Sequence, residues 1–92
     1  MTLKVNSSME GEAVVFALCG RIREAQVAEL DALFTSAKTD RNIILDIANV
    51  KLIDRAAVRF LAQQEDKGFT LRNCPAYIRE WISREKNGTN NQ

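Results

Sequence analysis

The residues of this 92-residue chain that could do chemistry are few. There is no histidine, which removes His-based triads, His metal sites and His proton shuttles. Asp46 and Asp54 are two acids flanking a short segment. Paired acids can serve as general acid and base, but no nucleophile or metal-ligand set accompanies these two, and structural roles are expected for both. Cys19 and Cys74 lie far apart with no CxxC spacing, so two reduced thiols are expected, at least one of them buried. No phosphate-binding glycine loop is present, and an enzyme is not expected. What remains is cationic. Arg55 and Arg59 lie one helical turn apart and, with Lys51, could make a small basic patch. Arg21 and Arg23 follow Gly20 and could join it. A cation in the first turn of a helix is locally unfavourable by roughly a few tenths of a kcal/mol. Arg55 therefore calls for an offset: Asp54, an acidic partner, or an anion held with the backbone N–H groups.

The element that must position these residues is Asn42–Ala62. Ile43, Ile44, Leu45 and Ile47 make a near-continuous apolar run, as in an inner strand. The sequence predicts that this strand stops at Asp46-Ile47-Ala48-Asn49, where Asp and Asn can bond nearby backbone and turn the chain. A second apolar pulse, Val50, Leu52 and Ile53, leads to Asp54, a favoured N-cap, and Arg55 to about Asp66 has helical spacing. The basic residues would then sit at the carboxyl end of an inner strand, a common place for function in α/β sheets.

The rest of the chain supplies the neighbours. Leu3–Ser8 alternates as an edge strand, Met9–Glu12 with Gly11 reads as a hairpin turn, and Ala13–Cys19 is a second strand that Gly20 breaks. Arg21–Ala25 leads into helix one, with Val27, Leu30, Phe34 and Ala37 inward, Leu33 beside them, and Glu29, Asp31 and Lys38 facing water. Thr39-Asp40-Arg41 links to the central strand. In helix two Ala57, Val58, Leu61 and Ala62 face inward, and Gly68 ends it. Phe69–Leu71 is a short last strand. Asn73-Cys74-Pro75 starts helix three, with Pro75 in its first turn and Ile78, Trp81 and Ile82 inward. Tyr77 with Trp81 is read as core-edge packing or an aromatic interface. The polar run 87–92 is expected to be a disordered tail behind a folded domain of 1–86. The pattern ββαβαβα implies an α/β single domain. It has a four-stranded, mostly parallel sheet with strand one antiparallel and the helices mainly on one face.

Composition bounds the function. The chain is 46% hydrophobic and 27% charged, with a net charge of +1. Those are values of an ordinary globular domain without the basic surface of a nucleic-acid binder. No run reaches transmembrane length. Ala13–Cys19 is apolar, but Glu10 and Glu12 precede it where a signal peptide would be basic. A cytoplasmic location, no membrane insertion and no cofactor are therefore expected.

Several stretches together resemble the STAS domain, the fold of bacterial anti-sigma-factor antagonists. Leu18-Cys19-Gly20-Arg21-Ile22 is similar to the family's LxGR[LI]. Asn42–Val50 is similar to its hydrophobic strand ending LDLSxV, and Ile53-Asp54 to its [ILMF]D before a helix. Gly68–Leu71 and Asn73-Cys74-Pro75 complete the match, which covers about residues 13–86. Antagonists of the family carry D-[ST]-[ST]-G at this loop, and the second hydroxyl residue is phosphorylated by an anti-sigma-factor kinase. Here the loop is Asp54-Arg55-Ala56-Ala57. The acceptor position falls on Ala56, so no phospho-acceptor Ser or Thr is expected there. Phosphate on Ser36, Thr39 or Thr70 would instead mark a displaced switch. A typical member has a longer second helix, and a further strand and closing helix beyond the position of Trp81-Ile82, so the resemblance is to a short, divergent member.

The resemblance implies a non-enzymatic protein–protein interaction module of signalling and transcription regulation. Its partner-binding residues would be Asp54, Arg55, Ala56, Arg59, Arg21 and Arg23, and its partner an anti-sigma-factor kinase or another signalling protein. The alternative it leaves open is an accessory subunit that binds the ATPase of an ABC-type lipid transporter. A module for a nucleotide or other small anion is a further reading. A homodimer is also expected, through strand four or helix three.

Overall fold

A computed structural model describes residues 3–37 and 42–90. The expected link Thr39–Arg41 and the position of Lys38 fall outside these residues. The element order is β1 (Leu3–Glu10), β2 (Ala13–Ile22), α1 (Glu24–Ala37), β3 (Ile43–Ile53), α2 (Arg55–Asp66), β4 (Thr70–Arg72) and α3 (Ala76–Asn90). The four strands form one sheet in sequential order. β1 pairs antiparallel with β2, and β2, β3 and β4 run parallel. The expected ββαβαβα architecture is therefore the one the chain adopts.

The central segment departs from expectation. No loop interrupts it at 46–49, because β3 runs unbroken from Ile43 to Ile53. Two bulges take the place of the loop. Ala17 to Cys19 on β2 stands opposite Asp46 to Asn49 on β3, and Gly20 to Arg21 stands opposite Val50 to Leu52. Each gives β3 one extra residue, which bends a strand and resets which side chains point inward. The burial along β3 follows: Ile43, Leu45 and Ile47 are buried at alternate positions, then Val50 and Ile53 at every third. Without the bulges a two-residue period would turn Val50 outward. Asp46 does bond nearby backbone, its Oδ1 accepting from the Ala48 N–H at 3.1 Å. That local bond produces a bulge where the sequence suggests a turn.

Gly20 does not end β2, which continues to Ile22. Gly20 has φ +106°, a conformation L side chains rarely adopt, so the strand passes the second bulge because this position is glycine. Helix one starts at Glu24 as a result.

The buried residues make one cluster. β2 and β3 give it Phe16, Leu18, Ile22, Leu45 and Ile47, and the helices add Leu30, Phe34, Val58, Leu61, Ile78 and Ile82. Phe34 lies at its centre, with ring centroids 5.3 Å from Phe16, 5.8 Å from Phe60 and 5.7 Å from Phe69. α2 buries Phe60 and Gln64 beyond the four residues expected. It packs between α1 and α3, and a helix flanked on both sides needs a wider buried stripe than one on the rim. α1 is on the rim: only Leu30 and Phe34 are buried, and Leu33 is exposed.

The helix ends are closed locally. α2 finishes in a paired bond pattern, Phe69 N–H to Gln64 O at 3.0 Å and Gly68 N–H to Glu65 O at 3.0 Å, with Gly68 at φ +107°. That is the Schellman arrangement glycine makes cheap. Pro75 precedes α3 by one residue, and its carbonyl accepts from Ile78 and Arg79. It is the cap residue, one position ahead of the first turn expected for it. α3 continues to Asn90, so residues 87–90 of the expected polar tail are helical, while 91–92 lie outside the described residues. Both cysteines are free and half-buried, so neither is the buried thiol expected. No described helix is long and apolar enough to cross a membrane.

Candidate functional site

The parallel pairing of β2 and β3 brings their carboxyl ends together, with Arg21 opposite Leu52 and Ile22 opposite Ile53. Arg21 and Arg23 from β2 and its exit therefore share one end of the sheet with Asp54 and the start of α2. Both arginines are exposed.

Asp54 joins the two strand exits. Its Oδ1 accepts from the Ala57 N–H at 3.0 Å, the expected N-cap bond of α2. Its Oδ2 accepts from the Glu24 N–H at 2.9 Å, the first residue of α1. The Asp54 N–H donates to the Ile22 carbonyl at 3.2 Å. One carboxylate thus serves two helix N-termini, where negative charge is favoured. The reason lies in α1. Its cap position is Arg23, which has no acceptor to offer. Gln26 makes half of a capping box, its Oε1 accepting from the Arg23 N–H at 2.9 Å, and Asp54 supplies the acceptor that Arg23 lacks.

Arg55 finds its offset on another helix. Its Nε donates to Glu85 Oε2 at 3.1 Å, and Arg59 Nε donates to Glu85 Oε1 at 3.1 Å. One α3 carboxylate is held between two arginines one turn apart on α2. The bond from Arg59, followed by the charge of Arg55, holds the Glu85 carboxyl below its ordinary range. The arginine side chains remain 66% and 57% exposed, whereas that of Glu85 is 15% exposed. Arg55 and Arg59 thus lie side by side and already share one internal counter-charge. Ala56, in the first turn of α2, is half-buried and offers no polar atom beyond its backbone.

The remaining candidates separate from this end. Asp46 lies apart from Asp54: it holds the first bulge and takes weak contacts of 3.4 Å from Asn73 Nδ2. The two acids therefore have separate structural duties. Trp81 is half-buried against the core, and Tyr77 is exposed. Among the described residues no cluster of three or more potential metal ligands occurs. The sequence reading missed Glu85 and the second bond of Asp54. Both join residues about thirty positions apart, a distance over which no local spacing carries a signal. The exposed Leu52, cross-strand from Arg21, was legible only as part of an apolar pulse.

Neither a protein-family model nor a curated protein matches this chain. Solved structures do. An anti-sigma factor antagonist from Mycobacterium paratuberculosis superposes with a TM-score of 0.72 at 14% identity, over 96% of this chain and 82% of that one. The anti-sigma factor antagonist SpoIIAA in its unphosphorylated form gives 0.63 at 22% identity, over 87% and 82%. This chain has a divergent STAS-like fold. Mglu gives 0.61 at 25% identity over 76% of this chain, but the match spans only 19% of the Mglu chain. Between β3 and α2 of this fold the chain reads Asp54-Arg55-Ala56-Ala57.

Proposed function

We propose that the chain is a non-enzymatic protein–protein interaction module. It would dock a protein partner through the carboxyl end of β2 and β3 and the start of α2. Arg55 and Arg59 make the principal contacts, Arg21 and Arg23 extend the basic rim, Ala56 lies in the contact between them, and Asp54 both joins it and fixes the start of α2. The observation that carries this reading is the pair of exposed arginines sharing one carboxylate at this end of a STAS-like fold. Two guanidiniums prearranged on one helix turn suit an acidic segment on a partner, because arginine binds carboxylates in a fixed geometry.

The partner class is an anti-sigma-factor kinase or a similar signalling protein, met in the cytoplasm and acting on transcription. Partner binding would be constitutive, because neither Ala56 nor Ala57 can accept phosphate. Self-association into a homodimer is part of the same reading. Binding of the purified chain to candidate kinases, with and without ATP, tests it. The expected result is a complex insensitive to ATP, with no phosphate on the chain. Phosphate on exposed Ser36 or Thr70 that released the partner would replace constitutive binding with a displaced switch. Selective binding to a lipid-transporter ATPase would transfer the same surface to a transport accessory role.

A further inference from the structure

The two edges of the sheet differ. β4 is three residues long and is followed by Asn73 at φ +57° and Pro75, so it exposes little edge backbone. β1 is eight residues long and pairs with β2 residue for residue from Leu3↔Gly20 to Glu10↔Ala13 without a shift. No described strand lies on its other side. Such an edge presents a row of N–H and C=O groups to any strand that approaches. Proteins commonly guard edges with proline, bulges or charge. β1 has no proline and no bulge, and its only charges are Lys4 and Glu10, of opposite sign and near its two ends.

That charge arrangement is self-complementary. If a second β1 runs antiparallel with Ser7 facing Ser7, Asn6 faces Ser8, Val5 faces Met9 and Lys4 faces Glu10. The two-fold symmetry makes the charge pair twice. Sliding one copy by two residues in either direction separates Lys4 from Glu10. The faces also agree. Lys4, Asn6, Ser8 and Glu10 are paired with Cys19, Ala17, Val15 and Ala13, on the side opposite the core residues Phe16 and Leu18. Val5 and Met9 share the core side, opposite Leu18 and Val14. Every pair in the proposed register thus joins residues on one face of the extended sheet. Glu10 already takes two bonds of 2.8 Å from Arg72, but a carboxylate has about four acceptor sites, and this side chain is 56% exposed. It has capacity for a lysine ammonium as well.

We propose that β1 is the interface for a second copy of this chain, paired antiparallel about Ser7, so that two four-stranded sheets become one continuous sheet. This places self-association on β1, away from both β4 and α3. It rests on the homodimer part of the functional reading and is independent of the arginine surface on α2.

Sedimentation velocity of the full chain over a wide concentration series tests it, with amide hydrogen exchange as a second readout. A reversible dimer is expected, with slowed exchange at alternate amides of β1 as concentration rises. Lys4→Glu sets like charges against each other at two symmetric positions, and should raise the dimer dissociation constant by about tenfold. Lys4→Arg, which keeps the charge and leaves the Glu10–Arg72 pair untouched, should hold the native value. Lys4 is exposed, so circular dichroism should show the fold kept. A chain that stays monomeric throughout overturns both the interface and the homodimer. A dimer that Lys4→Glu leaves at native strength, or that Lys4→Arg weakens as much as Lys4→Glu does, overturns only the β1 interface.

Discussion

The contact between α2 and α3 has two ends, and each holds one carboxylate between two cations. At one end Glu65 takes a bidentate pair of bonds from Arg79, at 3.0 and 2.8 Å, and a third from Lys86 at 2.8 Å. At the other, Glu85 takes one Nε bond each from Arg55 and Arg59. The chemistry is the same, but the setting of the cations is not. Arg79 and Lys86 are mostly packed, at 41% and 31% side-chain exposure, while Arg55 and Arg59 stand well out in water. Partly buried, multiply bonded charges hold helices together, whereas exposed pairs contribute little to stability. The Glu65 end is therefore a staple between helices. The Glu85 end keeps both arginines exposed, and in the proposed reading they exchange this internal carboxylate for an external one.

Breaking the staple end and the docking end should have opposite signatures. The largest loss of stability is expected from Asp54→Ala, which removes the caps of both α1 and α2. A lost cap costs about 1–2 kcal/mol and the second bond about 1 kcal/mol more, so a drop near ~2–3 kcal/mol should appear in urea unfolding. Next is the staple itself. The Arg79 bond, opposed by burial and joined by the Lys86 bond, holds the Glu65 carboxyl down at about 2 against an ordinary 4.5. A depressed carboxylate pKa stabilises the fold fully above the unfolded value, and that contribution is lost as pH falls through the folded one. Stability should fall by roughly 2 kcal/mol between about pH 4.5 and 2 on account of Glu65 alone. Glu65→Gln should show a loss of similar size at neutral pH and a flatter slope through that acid window. Glu10 and Glu85 are shifted the same way by their arginines, so the comparison of the two acid titrations isolates Glu65. The smallest effect is expected from Glu85→Gln. Its melting temperature should stay close to the native value, while binding of an acidic partner strengthens because the internal competitor is gone. A large thermal destabilisation by Glu85→Gln would erase the distinction between the two ends.

Much of this was legible in the sequence where the signal is local. Asp54 announced a helix start, Arg55–Asp66 had a clean helical period, and Gly68 marked the stop; the structure adds the bonds. The sheet order followed from the alternation of strands and helices. What failed was local chemistry overruled by pairing. Asp46 bonds its own neighbourhood as expected, yet β2 keeps β3 extended, and the outcome is a bulge. Gly20 likewise looked like a breaker but is the residue that lets β2 continue. The long-range pairs could not be read at all. Nothing around Arg55 says that Glu85 will reach it, because helix α3 is placed by Ile78 and Ile82 entering the core, and the position of Glu85 follows from theirs.

The central claim is that the exposed arginine pair is the docking surface. Its most direct test is the affinity of a purified partner, identified by co-purification from the native cell, for the native chain and for Arg55→Glu/Arg59→Glu, measured by titration calorimetry. The expected result is a dissociation constant raised at least about tenfold, as for a charge lost from an interface centre, with circular dichroism showing the fold intact. Unchanged affinity in a folded Arg55→Glu/Arg59→Glu chain would contradict the account.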